Sequence, residues 1–410
     1  MQQFCLSFGS NVGNRLHNIK TALRYVENEI GELCVSPIVQ TQAIVCPWTE
    51  PQRDYYNMIG FVRSNLSPMD LLDRLKQIEK RMGRDLSAPK WSARVIDLDI
   101  LFCETATGDE ILLDNDVLSL PHPELCARPF LTNLLIMFGY PYDFVEDVIS
   151  VVADARSNVV GIVNVTPDSF SDGGMYIDVS SLHKRIDDLY EFADIIEFGA
   201  QSTRPGYSEV SEHDERRRLQ PALEYASCKD GLRIGVDTYF NSVINFAMDC
   251  CKIAWSNDIY SRYDRDTLQR IAKNDMLHIV MANSNNVQHD LHVEVERVRS
   301  CGIDDSNIVI DYGLGFSKNI ADNWREVHAM ISHKYGFQYQ VLLGHSRKSF
   351  FRLINDQHAS ERDVETLALS AALYHHVDYF RVHNVALHMR FLKTFGFCAS
   401  YTNCKSEIQR

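Results

Sequence analysis

No apolar run in this 410-residue chain approaches the ~20 residues that a membrane-crossing helix needs, and none of its 11 cysteines forms a CxxC pair. The chain opens Met-Gln-Gln-Phe, without the basic and apolar segments of a secretory leader. Positive charge is also in short supply: 41 Lys and Arg against 55 Asp and Glu give a net charge of −14. That balance argues against nucleic acid or an anionic membrane surface as partner, and any anionic substrate must meet local basic groups. The scattered cysteines, with Cys250 and Cys251 adjacent, point to a reducing, cytoplasmic setting. Internal repeats and low-complexity tracts are missing too. What remains is the length and composition of an enzyme with two domains.

The first 140 residues have the grammar of an α+β domain. Phe4, Leu6 and Phe8 alternate with polar or small residues, and Gly9 to Arg15 turns the chain into a helix with Asn14 as N-cap and Leu16, Ile19, Leu23, Val26 and Ile30 at spacings of three and four. Ser67-Pro68 opens a second helix that carries Leu71, Leu75, Ile78 and Met82 inward. Strand-like stretches lie at 34–45, 56–62 and 95–102. Two helices among about four strands predict a ferredoxin-like sandwich.

The chemically loud stretch in this half is Trp91-Ser-Ala-Arg94-Val-Ile-Asp97-Leu-Asp99-Ile-Leu-Phe102. Strand alternation sends Ile96, Leu98, Ile100 and Phe102 to the core and brings Asp97 and Asp99 onto one outward face, ~7 Å apart. Two such carboxylates suit two hard cations held against a phosphate chain. A half-exposed strand with solvated aspartates reads the same way, but Arg84, Lys90, Arg94, His122 and Arg128 nearby are the cations that a polyphosphate site requires.

From 158 onward the pattern changes. A β-branched run at 159–165 stops at Thr166-Pro167-Asp168, and the loop that follows is rich in hydroxyls and ends in Gly173-Gly174. Seven more strand-like runs, at 193–199, 233–237, 254–258, 278–282, 308–313, 340–344 and 379–382, alternate with helical patterns. Eight parallel strands with crossover helices predict a (β/α)8 TIM barrel. Asn164, Gln201 to Arg204, Asp237, Asn257, Asp311, Ser346 to Lys348, Arg381 and His383 fall at or just past strand ends, which in a barrel share one mouth. The domains are expected at 1–138 and 158–410, with 139–157 as a short ordered linker.

These residues carry two resemblances. Ser7-Phe-Gly-Ser-Asn-Val-Gly-Asn-Arg15, Asp54-Tyr-Tyr-Asn57, Glu79-Lys-Arg-Met-Gly-Arg84, Trp91 to Asp99 and Leu120-Pro-His-Pro-Glu-Leu125 resemble 6-hydroxymethyl-7,8-dihydropterin pyrophosphokinase. The barrel half is similar to dihydropteroate synthase through 161–174, Gln201-Ser-Thr-Arg-Pro-Gly206, Val236-Asp-Thr-Tyr239, Asn257-Asp258, Asp311-Tyr-Gly-Leu-Gly-Phe316, Ser346-Arg-Lys-Ser349 and Arg381-Val-His383. The first resemblance implies transfer of a diphosphate from ATP to the hydroxymethyl group of the dihydropterin. Asp97 and Asp99 would hold two Mg2+, Arg84, Arg94, His122 and Arg128 the triphosphate, and Tyr55 and Asn57 the pterin. The second implies condensation of the pterin diphosphate with p-aminobenzoate. Asp237, Asn257, Asp311, Phe316 and Lys348 would bind the pterin, and Asn164, Arg381 and His383 one Mg2+ or the diphosphate. Phe170, Asp172, Thr203, Arg204, Pro205 and Ser346 would surround the p-aminobenzoate. The family also implies a homodimer through barrel helices.

Departures from the family pattern concentrate in the barrel. Glu197 stands where an aspartate is usual, Ala200 and Gln201 replace Gly and Glu, Ala282 follows Met281 where a histidine is common, and Tyr312 replaces a proline. In the first half, Leu86 replaces an arginine. Two alternatives therefore stand beside a bifunctional folate enzyme: a kinase fused to a barrel that only binds pterin, and a barrel that transfers a methyl group from a pterin.

Overall fold

Pairing of β1 (Gln2–Ser10) with both β4 (Tyr55–Ser64) and β5 (Asp97–Glu104) sets the centre of the N-terminal sheet. The computed structural model describes residues 1–43, 52–85, 88–89, 92–142, 150–153, 157–166, 178–201, 210–332, 339–354, 356 and 358–408. The chain divides into two compact units, Met1–Arg156 with Phe391–Arg410, and Ser157–Arg390.

In the first unit the sheet runs β5-β1-β4-β3-β8, with β3 at Ile38–Thr41, β8 at Ser150–Ala153, and β2 (Leu33–Val35) also paired to β4. All of its pairings are antiparallel. A separate ribbon joins β6 (Leu113–Asp114) to β7 (Ser119–Leu120). Helix α1 (Arg15–Glu29) starts where the Asn14 side chain accepts from His17 N at 3.0 Å, and it buries Ile19, Leu23 and Val26. Helix α2 (Pro68–Arg81) is capped by Ser67, whose hydroxyl accepts from Asp70 N at 3.2 Å, and buries Leu71, Leu75 and Ile78. Helix α3 (Pro129–Met137) packs Leu131, Leu134 and Leu135 against Cys5, Ile59 and Phe61.

Strict alternation fails at one point in β5. Cys5 and Leu6 oppose Phe102 and Ile100, so Leu101 is an extra residue, a β-bulge. Phe102 therefore turns to the face of Cys5, where its ring meets Phe61 at 6.0 Å, instead of following Ile100 as the sequence pattern predicts. Asp97 and Asp99 precede the bulge and keep a common face, opposite Gly9 and Ser7.

In the second unit eight parallel strands close into a ring: β9 (Asn158–Asn164), β10 (Ile195–Gly199), β11 (Ile234–Asp237), β12 (Ile253–Asn257), β13 (Leu277–Met281), β14 (Ile308–Asp311), β15 (Gln340–Leu343) and β16 (Tyr379–Val382). Each lies within two residues of its expected run, because a buried strand ends where polar residues begin. Val160, Ile195, Trp255, Leu277, Ile279, Val309, Leu342 and Tyr379 form the inner apolar cluster. The same parity then places Glu197, Asp237, Asn257, Asp311 and Arg381 inward at the strands' carboxyl ends.

Among the described residues, no helix is long and apolar enough to cross a membrane. Eight described cysteines are free thiols, whereas Cys34 is disulfide-bonded, which a uniformly reduced chain would not have.

Two barrel histidines generate a pH dependence. Burial pushes His278, bonded to Ser256 Oγ at 2.9 Å, down to about 3, and His345, 2.9 Å from Thr366 O, down to about 4. Both lie below the ordinary 6.5, so their stabilisation is complete above that value and is lost as pH falls toward 4. The loss reaches up to ~1.4 kcal/mol per pH unit for each. The urea midpoint of the barrel should therefore drop on acidification from neutrality to about pH 5, and His278→Gln should flatten that slope.

Candidate active sites

A cavity of about 1030 Å³ in the N-terminal unit is lined by Tyr55, Asn57, Arg84, Arg94, Asp97, Asp99, His122 and Arg128 together. These eight are scattered over 74 positions of sequence; the pairing of β4 and β5 with β1 brings Tyr55, Asn57, Asp97 and Asp99 together, and Arg84, Arg94, His122 and Arg128 join them from outside those strands. Asp97 forms ion pairs with Arg84 and, at 3.0 Å, with Arg94 Nη1. Burial raises the Asp97 carboxyl, but Arg94, Arg84 and Lys76 outweigh it and hold the group below the usual carboxylate range. Arg94 is itself fixed through its backbone, which donates to Asn11 Oδ1 at 2.7 Å. Asn57 Nδ2 donates to Thr41 Oγ1 at 2.7 Å. His122 Nδ1 accepts from Glu124 N at 3.1 Å, and Arg128 pairs with Glu124.

Sequence reasoning missed two groups behind the acidic pair. Glu79 is fully buried, and its Oε1 accepts from Leu98 N at 2.7 Å, from Arg84 Nη1 at 2.5 Å and from Lys76 Nζ at 2.9 Å. Lys76 Nζ also reaches Leu98 O at 3.0 Å and lies 3.6 Å from Asp99 Oδ1. One carboxylate therefore aims two cations at the Asp97 and Asp99 pair. The available signal was Glu79 itself, the first residue of the motif that ends in Arg84.

At the barrel mouth, Arg381 Nη2 lies 2.5 Å from Glu197 Oε2 and 2.8 Å from Asp237 Oδ2. Asp311 is buried and its Oδ1 accepts from Gly313 N at 2.8 Å. Burial lifts the Asp311 carboxyl, opposed by that backbone donor and by Arg381 and Lys348. Asn257 is 1% exposed and, among the described residues, its buried Oδ1 has no hydrogen-bond donor. Lys348 Nζ sits 4.1 Å over the Phe316 ring, and burial pushes it down to about 8. Its stem crosses Gly315, where φ is +80° and a Cβ would lie 2.7 Å from Lys348 Cδ, so glycine is required there. His383 Nδ1 lies 3.0 Å from Ser346 Oγ. Burial pushes His383 down to about 4, with Arg347, Arg381 and Lys348 adding to the effect. Asn164 stands exposed at the end of β9, between β10 and β16.

Phe170, Asp172, Thr203, Arg204 and Pro205 lie outside the described residues, as does Leu86. The barrel's departures are described and bonded. Gln201 donates to Glu215 Oε2 at 2.6 Å and accepts from Tyr239 OH at 2.7 Å, Ala200 O accepts from Arg218 at 3.0 Å, and Ala282 N donates to Asp311 O at 3.0 Å. Tyr312 is buried, which pushes its phenol up to about 12.

A closed parallel barrel with buried carboxylates, amide and cations at its mouth is the architecture of a small-molecule enzyme. Residues 160–383 match the family of pterin binding enzymes, and residues 5–138 match 7,8-dihydro-6-hydroxymethylpterin-pyrophosphokinase. A folate synthesis bifunctional protein of Chlamydia caviae is 31% identical over 95% of this chain and 97% of its own. A dihydropteroate synthase structure from Clostridium difficile, determined in the presence of pteroic acid, shares 30% identity and a TM-score of 0.54 over 59% of this chain and 97% of that one. A Xanthomonas albilineans dihydropteroate synthase with 4-aminobenzoic acid shares 28% identity and a TM-score of 0.54 over 61% and 95%. The chain belongs to the family of bifunctional folate synthesis proteins, which join these two kinds of unit.

Replacing Glu79 with Ala would leave Arg84, Lys76 and the Leu98 N–H without their shared acceptor. Loss of one buried partner of this kind costs about 3 to 5 kcal/mol. A thermal melt of the N-terminal unit should show the loss, whereas a surface change such as Asp109→Ala should leave the melt unmoved.

Proposed function

We propose that the N-terminal unit transfers the terminal diphosphate of ATP to the hydroxymethyl oxygen of 6-hydroxymethyl-7,8-dihydropterin, with loss of AMP. The barrel then condenses the pterin diphosphate with p-aminobenzoate, forming the C–N bond of dihydropteroate as diphosphate leaves. We read the functional domains as 1–138 and 158–410 joined by 139–157, with β8 of the joining stretch added to the first sheet and Phe391–Arg410 grouping with the first unit, and the first as a sandwich of ferredoxin-like type.

In the first site the donor set suits hard cations: two carboxylates on one face, with room in the cavity for phosphate oxygens. Asp97 and Asp99 would hold two Mg2+, which supply charge neutralisation for the triphosphate. Arg84, Arg94, His122 and Arg128 orient the phosphate chain, which is most of what phosphoryl-type transfer asks of a protein. Asn57 and Tyr55 bind the pterin.

At the second site the observation that carries the reading is Asn257 Oδ1, a buried acceptor without a donor among the described residues, in the same mouth as Asp237 and Asp311. Leaving an acceptor dry and unpaired costs stability, and a flat heterocycle edge bearing N–H groups satisfies it. Lys348 and Phe316 take the pterin face, while Arg381 and His383 receive the departing diphosphate. Asn164 brings one neutral oxygen, so an Mg2+ there would be held mainly by diphosphate. Ser346 lies near the p-aminobenzoate, and Phe170, Asp172, Thr203, Arg204 and Pro205 are assigned to it by motif. The hydrogen bonds made by Gln201, Ala200 and Ala282 favour a working synthase over a silent pterin-binding barrel. Leu353, Ile354 and Val364 are apolar side chains 64 to 73% exposed, and we propose a homodimer through barrel helices. We place the enzyme in the cytoplasm on its eight described free thiols, against which the Cys34 disulfide stands as the exception.

Asp97→Ala should lower pyrophosphokinase kcat about a hundredfold or more and spare the synthase, and Lys348→Ala should do the reverse. Separate assays with purified pterin diphosphate read the two activities. The pH profile supplies a second test. Lys348 is charged below about 8 and neutral above it, so the synthase kcat/KM should decline as pH rises through that value. Lys348→Arg should move the decline upward.

A further inference from the structure

Glu197, Gly235 and Trp255 stand side by side in the register of β10, β11 and β12. A Cβ at position 235 would lie 2.6 Å from Trp255 Cδ1, so the missing side chain is what lets the indole cross β11. Its Nε1 thereby donates to Glu197 Oε1 at 2.8 Å. Both residues are buried, at 0% and 1% exposure. The second carboxylate oxygen lies 2.5 Å from Arg381 Nη2, which continues to Asp237 Oδ2 at 2.8 Å. The Trp255 ring also meets Tyr379 edge-on at 5.3 Å, two residues before Arg381 on the same strand.

Before a ligand arrives, Glu197 Oε1 thus accepts from the indole, while Oε2 is held against the Arg381 guanidinium by charge alone, without a hydrogen-bond donor among the described residues. Asp237, by contrast, keeps 22% of its side chain exposed at the mouth. We propose that Glu197 and Trp255 form a positioning pair, which fixes Arg381 for diphosphate departure, and that Glu197 acts through Arg381 and not on the pterin. The inference rests on the reading that Arg381 receives the diphosphate. Burial pushes the Glu197 carboxyl up to about 7; Arg381 and the indole N–H oppose the rise and Asp237 adds to it. The indole therefore helps to keep the charge that holds Arg381 without adding a competing cation. An aspartate at this position would be one methylene short of both partners, which gives the family departure a physical purpose.

The test is the synthase reaction of the full chain with purified pterin diphosphate and p-aminobenzoate. Trp255→Phe keeps a ring in the floor and removes only the donor. It should lower kcat about tenfold, as loss of a hydrogen bond to a charged group does, with the KM for p-aminobenzoate within about twofold. Glu197→Gln and Glu197→Asp should each lose as much, although the second restores the family residue. In an Arg381→Lys background, Trp255→Phe should cost less than about a further twofold, because residues acting through one group are not additive. A full tenfold loss in that background, or a Trp255→Phe enzyme within about twofold of the parent, overturns the pair. A fully active Arg381→Lys enzyme would instead remove the diphosphate reading itself. Should Trp255→Phe fail to fold, Glu197→Gln in the same two backgrounds carries the test.

Discussion

Each unit depends on an arginine that a buried glutamate holds in place before any substrate is bound. In the first, Glu79 at 0% exposure grips Arg84, which meets Asp97; in the second, Glu197 at 1% grips Arg381, which meets Asp237. Removing a carboxylate from water is costly, and the cost is offset only where its oxygens find charged or N–H partners. Leu98 N and Lys76 supply those partners for Glu79, and the Trp255 indole supplies one for Glu197. The result in both places is a guanidinium fixed in direction at a site where we propose that phosphate charge is met. Preorganised charge of that kind does not have to reorganise during the reaction.

How much of this is legible in the sequence depends on how local the signal is. The barrel strands are legible, since they are short buried runs with polar residues at or near most of their carboxyl ends, as 234–237 illustrates with Asp237. The Asp97 and Asp99 pair is legible too, because strand alternation needs only neighbours. Phe102 is not: its face depends on a bulge at Leu101 set by pairing with β1, nearly 100 residues earlier in the chain. Glu79 and Lys76 read as the solvated side of a helix, and only the strand at Leu98 turns them into an anchor. Glu197 reads as a departure from a family pattern. Its meaning lies in Trp255, 58 residues away, and in a glycine between them that no periodicity marks.

The barrel's substitutions are not scattered losses. Gln201 bonds to Glu215 and Tyr239, and Glu197 bonds to the Trp255 indole and forms an ion pair with Arg381. A silent barrel would have little reason to keep such costly buried polar groups. Joining the two activities in one chain is chemically economical, because the product of the first reaction is the substrate of the second.

The most direct measurement is made on purified protein with ATP, magnesium and 6-hydroxymethyl-7,8-dihydropterin, with and without p-aminobenzoate, the products being identified by mass. The account predicts dihydropteroate only in the tube with p-aminobenzoate and pterin diphosphate in the other. Pterin diphosphate accumulating alike in both tubes, with no dihydropteroate, would contradict it.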